Sequence, residues 1–225
     1  SSYSSPTTPL SNRFVEEFNN DLLSLKPKDR GYTKITTIKD SLGKSINYSY
    51  LENHPDIFKV SLENEVIPNA TISLHFEYTL QIQNDRFTGY GVTKDGDYNL
   101  KYWYISPAVY ENSEWKLYSN KNINDYYTPE SNIELSINVP ELYDVTSELN
   151  LESTQLNQQN NSFNFSGKKR TDSRLYISKK RFVNFNVENL NIITDINENK
   201  ISDLEQIELL KKVVCFKFKT NSLSS

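Results

Sequence analysis

The chain has 225 residues, 36% of them hydrophobic, with 15 Tyr and 11 Phe against 2 Trp, and a net charge of −4. One Cys excludes a disulfide framework or a thiolate metal cluster, and two His are too few for a typical catalytic zinc site. Six Gly without a phosphate-cradling loop argue against a nucleotide enzyme, and a pI near 5.4 discourages a nucleic-acid partner.

The length suits one large domain that can bury a proper core. No apolar run approaches the roughly 20 residues of a membrane span. The opening Ser1-Ser2-Tyr3-Ser4-Ser5, with no Met anywhere, predicts a piece of a longer protein. Cellular compartment is left open, since a single Cys suits several.

Residues 1–10, rich in Ser, Thr and Pro, are expected to be irregular. A helix is expected over residues 11–26, capped by Ser11, with Phe14, Phe18, Leu22 and Leu25 at helical spacing. Lys26-Pro27-Lys28 should end it, because the residue before a proline avoids the helical basin. The predicted boundary between this irregular and helical part and a β domain falls at residues 30 and 31.

From Tyr32 the period changes to two. Ile35 and Ile38 precede a turn at Asp40-Ser41-Leu42-Gly43, after which Ile46, Tyr48 and Tyr50 alternate, followed by Phe58, Val60 and Leu62. The strongest alternation spans 70–83. Ile72, Leu74, Phe76, Tyr78, Leu80 and Ile82 share one face, with His75 and Glu77 on a wet one. His54, in Glu-Asn-His-Pro-Asp, reads as a turn residue and has no metal-binding spacing to His75.

Further strands are expected at 133–139, 143–151, 162–166, 174–178, 182–187 and 213–218, with Gly167 in a turn. The stretches 152–161 and 195–205 read as long polar connections. Alternating strands joined by turns predict a mainly β fold over residues 31–225, an antiparallel β-sandwich with one N-terminal helix.

Few residues carry chemistry. The basic triplets at Lys168–Arg170 and Lys179–Arg181 read as solvated hairpin ends, and Cys215 as a buried, inert thiol. Asp195, Asn197 and Asn199 alternate as calcium ligands do, yet Lys200 stands where the loop needs glycine and Gln206 where it needs a bidentate Glu. A polar loop is the better reading. No nucleophile motif and no carboxylate in an apolar setting stand out, so the chain alone is not expected to be an enzyme.

The most unusual patch is Tyr98-Asn99-Leu100-Lys101-Tyr102-Trp103-Tyr104-Ile105-Ser106-Pro107. Its rings are either packing residues with wet polar tips or a surface for sugar or peptide. Tyr98, Tyr102, Trp103 and Tyr104 are the candidate site residues.

That segment, then Pro107-Ala108-Val109-Tyr110, Trp115 and Leu135-x-Ile137-x-Val139-Pro140-x-x-Tyr143-x-Val145, resembles the N-terminal β domain of M1-type (gluzincin) zinc aminopeptidases. Asp29-Arg30-Gly31-Tyr32 and Lys179-Lys180-Arg181-Phe182-Val183-Asn184-Phe185 are similar to its entry and closing segments. The resemblance covers most of residues 11–195. It implies a non-catalytic segment that lines the substrate entrance of a zinc peptidase domain elsewhere in the same polypeptide. Zinc and peptide substrate are implied for that domain; no cofactor is expected in this chain. The family's His-Glu-x-x-His and Gly-x-Met-Glu-Asn motifs do not occur here, and Tyr102 stands where many members carry Gln. A scaffold that has lost peptidase chemistry and an aromatic-lined sugar-binding module are the alternatives.

Overall fold

A computed structural model describes residues 2–52, 54–121, 126–179, 182–187 and 190–194, together with Glu205 and Glu208. The described residues are mainly β, in antiparallel sheets, with an N-terminal helix, as the sequence predicts. The sheets are small and open; a sandwich is not established by their pairing. The described residues form two compact units, one of those up to Ile133 with Lys168–Arg174, the other of Glu134–Gly167 and those from Leu175 onward.

In the first unit, helix α1 runs Pro9–Glu16, earlier and shorter than the spacing predicts. Thr8 is the cap, its Oγ1 accepting from the Ser11 amide at 3.3 Å, and Pro9 takes the first-turn position where a missing N–H costs nothing. The helix closes when Phe18 turns left-handed at φ 60. The Asn19 amide then reaches Phe14 O at 2.8 Å and the Phe18 amide reaches Val15 O at 3.0 Å, the paired bonds of a Schellman cap. Asn19 Oδ1 also accepts from the Asp21 amide at 2.9 Å, offering the backbone an alternative to helix. Phe18 is left 97% exposed, whereas Leu10, Leu22 and Leu25 pack with Tyr3, Phe14 and Phe87. Three of the four predicted apolar positions thus reach a core without one continuous helix. Arg30 holds the returning loop, Nη2 donating to the carbonyls of Leu22 at 2.9 Å and Leu23 at 3.3 Å.

Strand β1 (Tyr32–Asp40) pairs antiparallel with β4 (Leu74–Gln81); between them β2 (Tyr48–Leu51) pairs with β3 (His54–Val60). A register shift between Ile35 and Thr37 explains why Ile35 and Ile38, three apart, are both buried. Leu74, Phe76, Tyr78 and Leu80 face inward while His75, Glu77 and Thr79 are exposed, as the alternation requires. His54 opens β3 instead of sitting in a turn. Short strands follow: β5 (Gly91–Val92) with β6 (Tyr98–Leu100), and β7 (Val109–Glu111) with β8 (Glu114–Lys116).

In the second unit and its approaches, β9 is Ser131–Pro140, β10 Asp144–Ser147, β11 Asn150–Leu156, β12 Asn160–Arg170, β13 Leu175–Ser178, β14 Val183–Val187 and β15 Leu190–Thr194. β12 lies between β11 and β9; β10 pairs with β13 and β14 with β15. Two expectations change here. The stretch 152–161 is largely strand, because Ser153, Asn164 and Ser136 form a polar ladder: Ser136 Oγ donates to Asn164 Oδ1 at 2.6 Å, and Asn164 Nδ2 to Ser153 Oγ at 2.9 Å. Gly167 is inside β12, continuing the buried row Asn161, Phe163 and Phe165. The expected strand 213–218, Cys215 and the loop with Asp195, Asn197 and Asn199 lie outside the described residues.

Candidate functional site

The first unit contains a cavity of about 180 Å³ whose lining includes Tyr102, Trp103 and Tyr104 together with Tyr3, Tyr50, Tyr90 and Tyr126. Three of the four predicted site residues therefore meet in one place. Tyr98 does not line it; it pairs with Val92 across β5 and β6. The later aromatics of the patch also go elsewhere. Tyr110 and Trp115 meet at a tilt across β7 and β8, ring centroids 5.0 Å apart, and Trp115 is 59% exposed.

Backbone geometry explains how the rings converge. Leu100 ends β6 as a buried anchor, after which Tyr102 adopts φ 50, a left-handed conformation uncommon for a bulky residue. The Asp172 carboxylate steadies that turn, accepting from the Tyr102 amide at 3.4 Å. Trp103 is oriented by its indole N–H, which donates to Ser173 O at 3.0 Å. Its ring meets Tyr104 edge-on at 5.5 Å, and Tyr102 meets Tyr126 at 5.1 Å. Gly91 brings β5 against the wall: its φ is 141, and a Cβ there would lie 2.3 Å from Gln83 O.

The site's electrostatics are set by burial. Burial lifts the Tyr104 hydroxyl to about 12, with Asp172 and Tyr102 adding to it. Burial likewise raises Tyr3, Tyr102 and Tyr126, the last helped by the charge of Asp56 and opposed by a hydrogen bond with Ser106. These phenols stay protonated at neutral pH and act as neutral rings and hydroxyls, not as bases. Lys101 Nζ lies 4.8 Å from the Tyr102 centroid and 5.6 Å from that of Tyr90. Arg174 donates to the Tyr90 hydroxyl at 3.2 Å.

Sequence reasoning missed Asp56, Asn99 and Asn120 as wall residues. Asp56 Oδ2 accepts from the Asn120 amide at 3.0 Å and from Ser2 Oγ at 3.5 Å. Asn99 Nδ2 donates to Gly89 O at 2.8 Å, which turns its oxygen the other way. Asn99 lies within the aromatic patch, but only the fold brings Asp56 and Asn120 to it, so no local spacing announces those two.

Among the described residues, the two histidines are not placed to hold zinc together. His54 Nδ1 is engaged with Ser119 Oγ at 2.8 Å, and His75 is on the exposed face of β4. No cluster of three or more His, Cys, Asp or Glu side chains is placed to hold a metal among the described residues. Among them, too, no helix is long and apolar enough to cross a membrane.

Comparison with models of known protein families, with curated proteins and with solved structures found no match.

Proposed function

We propose that the chain is a non-catalytic, β-rich binding module whose aromatic cavity receives a small polar group of its ligand. The convergence of Tyr102, Trp103 and Tyr104 with five further tyrosines on one cavity carries this reading. Its volume of about 180 Å³ is below the 300–1,000 Å³ usual for whole drug-sized ligands, so it suits one functional group and not a whole oligomer.

Saturation-transfer NMR with a fragment library tests it. Hits that disappear in Tyr102→Asn, a residue that tolerates the left-handed backbone while removing the ring, support the module. Hits that are absent, or that persist in the variant, remove it.

The sequence resemblance gives the module a second, more specific setting: the wall beside the substrate entrance of an M1-type zinc peptidase domain in the same polypeptide. What favours it is that residues 99–104, within the segment carrying the resemblance, form part of the cavity wall. In that setting the zinc and the peptide chemistry belong to the other domain. Metal analysis and an aminoacyl-anilide assay on these 225 residues should both be blank. Turnover by the chain alone would sink this setting, and a glycan array separates it from the sugar-binding alternative.

A further inference from the structure

We infer that the cavity takes the ammonium head of a small organic cation, a primary alkylammonium, at its Asp56 side. The inference rests on the binding-module reading and adds the ligand's chemistry.

Three lining residues present a buried oxygen with no donor: Asp56 Oδ1, Asn99 Oδ1 and Asn120 Oδ1. Leaving such an acceptor bare in a protein interior is costly, most of all for a carboxylate. All three atoms accept. Among the described residues, no lining side chain presents a buried, bare donor. A fitting ligand therefore gives N–H bonds and asks for none in return, which describes an ammonium. A sugar hydroxyl both gives and receives, so a wall built for sugar would show bare groups of both kinds.

Charge points the same way. Asp56 is in no ion pair among the described residues. The cavity's own cation, Lys101, rests on Tyr90 and Tyr102, while Asp56 acts on Tyr126. Tyr126 and Tyr102, 5.1 Å apart, add ring faces that attract a cation once water is excluded.

The test uses intrinsic fluorescence. Replacing the exposed Trp115 by Phe leaves Trp103, in the cavity wall, as the sole tryptophan. This protein is titrated with n-butylammonium chloride, with tetramethylammonium chloride, and with n-butanol and methyl α-D-glucoside as neutral probes. Butylammonium should give a saturable change, and Asp56→Asn should weaken it about tenfold without lowering the melting temperature. The other three probes should respond more weakly, tetramethylammonium because it has no N–H. An equal response to butanol or the glucoside overturns the inference, as does indifference to Asp56→Asn. If Asp56→Asn fails to fold, the butylammonium and butanol titrations of the Trp115→Phe protein still decide. Glucoside binding without ammonium binding removes the cation and keeps the module. Silence from all four probes overturns the cation, and silence from the fragment library as well removes both.

Discussion

The indole N–H of Trp103 donates to the backbone carbonyl of Ser173 at 3.0 Å, across 70 residues of sequence. Ser173 is 1% exposed, so its carbonyl has little access to water as a substitute. Trp103→Phe keeps an aromatic ring and deletes the donor. We expect it to lower stability by about 1–3 kcal/mol, the range for stranding a buried acceptor. Trp115→Phe, on the exposed hairpin, should change stability by no more than about 0.5 kcal/mol. Urea midpoints of the two variants check the contrast; equal shifts would mean that the Ser173 bond contributes nothing.

Arg30 is 6% exposed and its Nη2 holds the carbonyls of Leu22 and Leu23. Arg30→Met keeps the apolar stem and removes the fork. Hydrogen bonds from a charged donor contribute about 1.5–3 kcal/mol, and we expect a loss of that size. Amide exchange should quicken first in residues 19–25, which depend on this tether. Unchanged exchange there would show that the leucines alone hold the loop.

Phe18 occupies the left-handed position of the cap that closes α1, where glycine is the usual residue. It is exposed and absent from the Leu10 core. Phe18→Gly should therefore raise stability by roughly 0.5–1 kcal/mol, the relief of the backbone exceeding the extra freedom of the unfolded chain. A lower melting temperature would mean that the Phe18 ring has a partner that compensates for its backbone.

Much of the β framework is legible in the chain because strict alternation leaves one wet face, and β4, β9 and β12 follow it. Phe14, Phe18, Leu22 and Leu25 also keep helical spacing, yet Asn19 competes for backbone donors and Phe18 flips left-handed. Periodicity cannot register that local contest. The aromatic half of the site is readable, since Tyr102, Trp103 and Tyr104 are adjacent. Its polar half is less so: Asn99 is next to the aromatic run, but Asp56 and Asn120 are 64 positions apart and meet only where the Asn120 amide donates to the Asp56 carboxylate.

Gly91 lines the cavity where β5 passes against Gln83. Gly91→Ala would put a methyl carbon 2.3 Å from the Gln83 carbonyl oxygen, in a backbone region L residues avoid. Backbone, unlike a flexible side-chain tip, cannot step aside. We expect a loss of roughly 3 kcal/mol or more, together with a weaker response of Trp103 to ligands. Tolerance of alanine, judged by thermal melting, would contradict the close approach.

Alkaline pH should unfold the first unit early. Burial, then Asp172 and Tyr102, lift Tyr104 from its ordinary 10 to about 12, so the folded state favours the neutral phenol. Stability from this group is complete below pH 10, and it is lost as pH rises toward 12 because the unfolded chain ionises first. Tyr3, Tyr102 and Tyr126 shift in the same direction. Denaturant midpoints through that window, paired with tyrosinate absorbance, test it. Tyr104→Phe should flatten the decline, and an unaltered slope would assign the alkaline limit to other groups.

The bond from Trp103 to Ser173 has a further consequence, for synthesis. Residues 168–174 belong to the same unit as the first 133 residues but leave the ribosome after the intervening segment 134–167. Until they emerge, the indole N–H has no Ser173 carbonyl, and the Tyr102 amide no Asp172 to steady its turn. The cavity wall is thus finished late in translation, after a loop closure of about 70 residues, the kind of long-range step that slows folding. A nascent chain stalled before Thr171 would carry every aromatic ring of the cavity and still lack the polar contacts that set two of them in place.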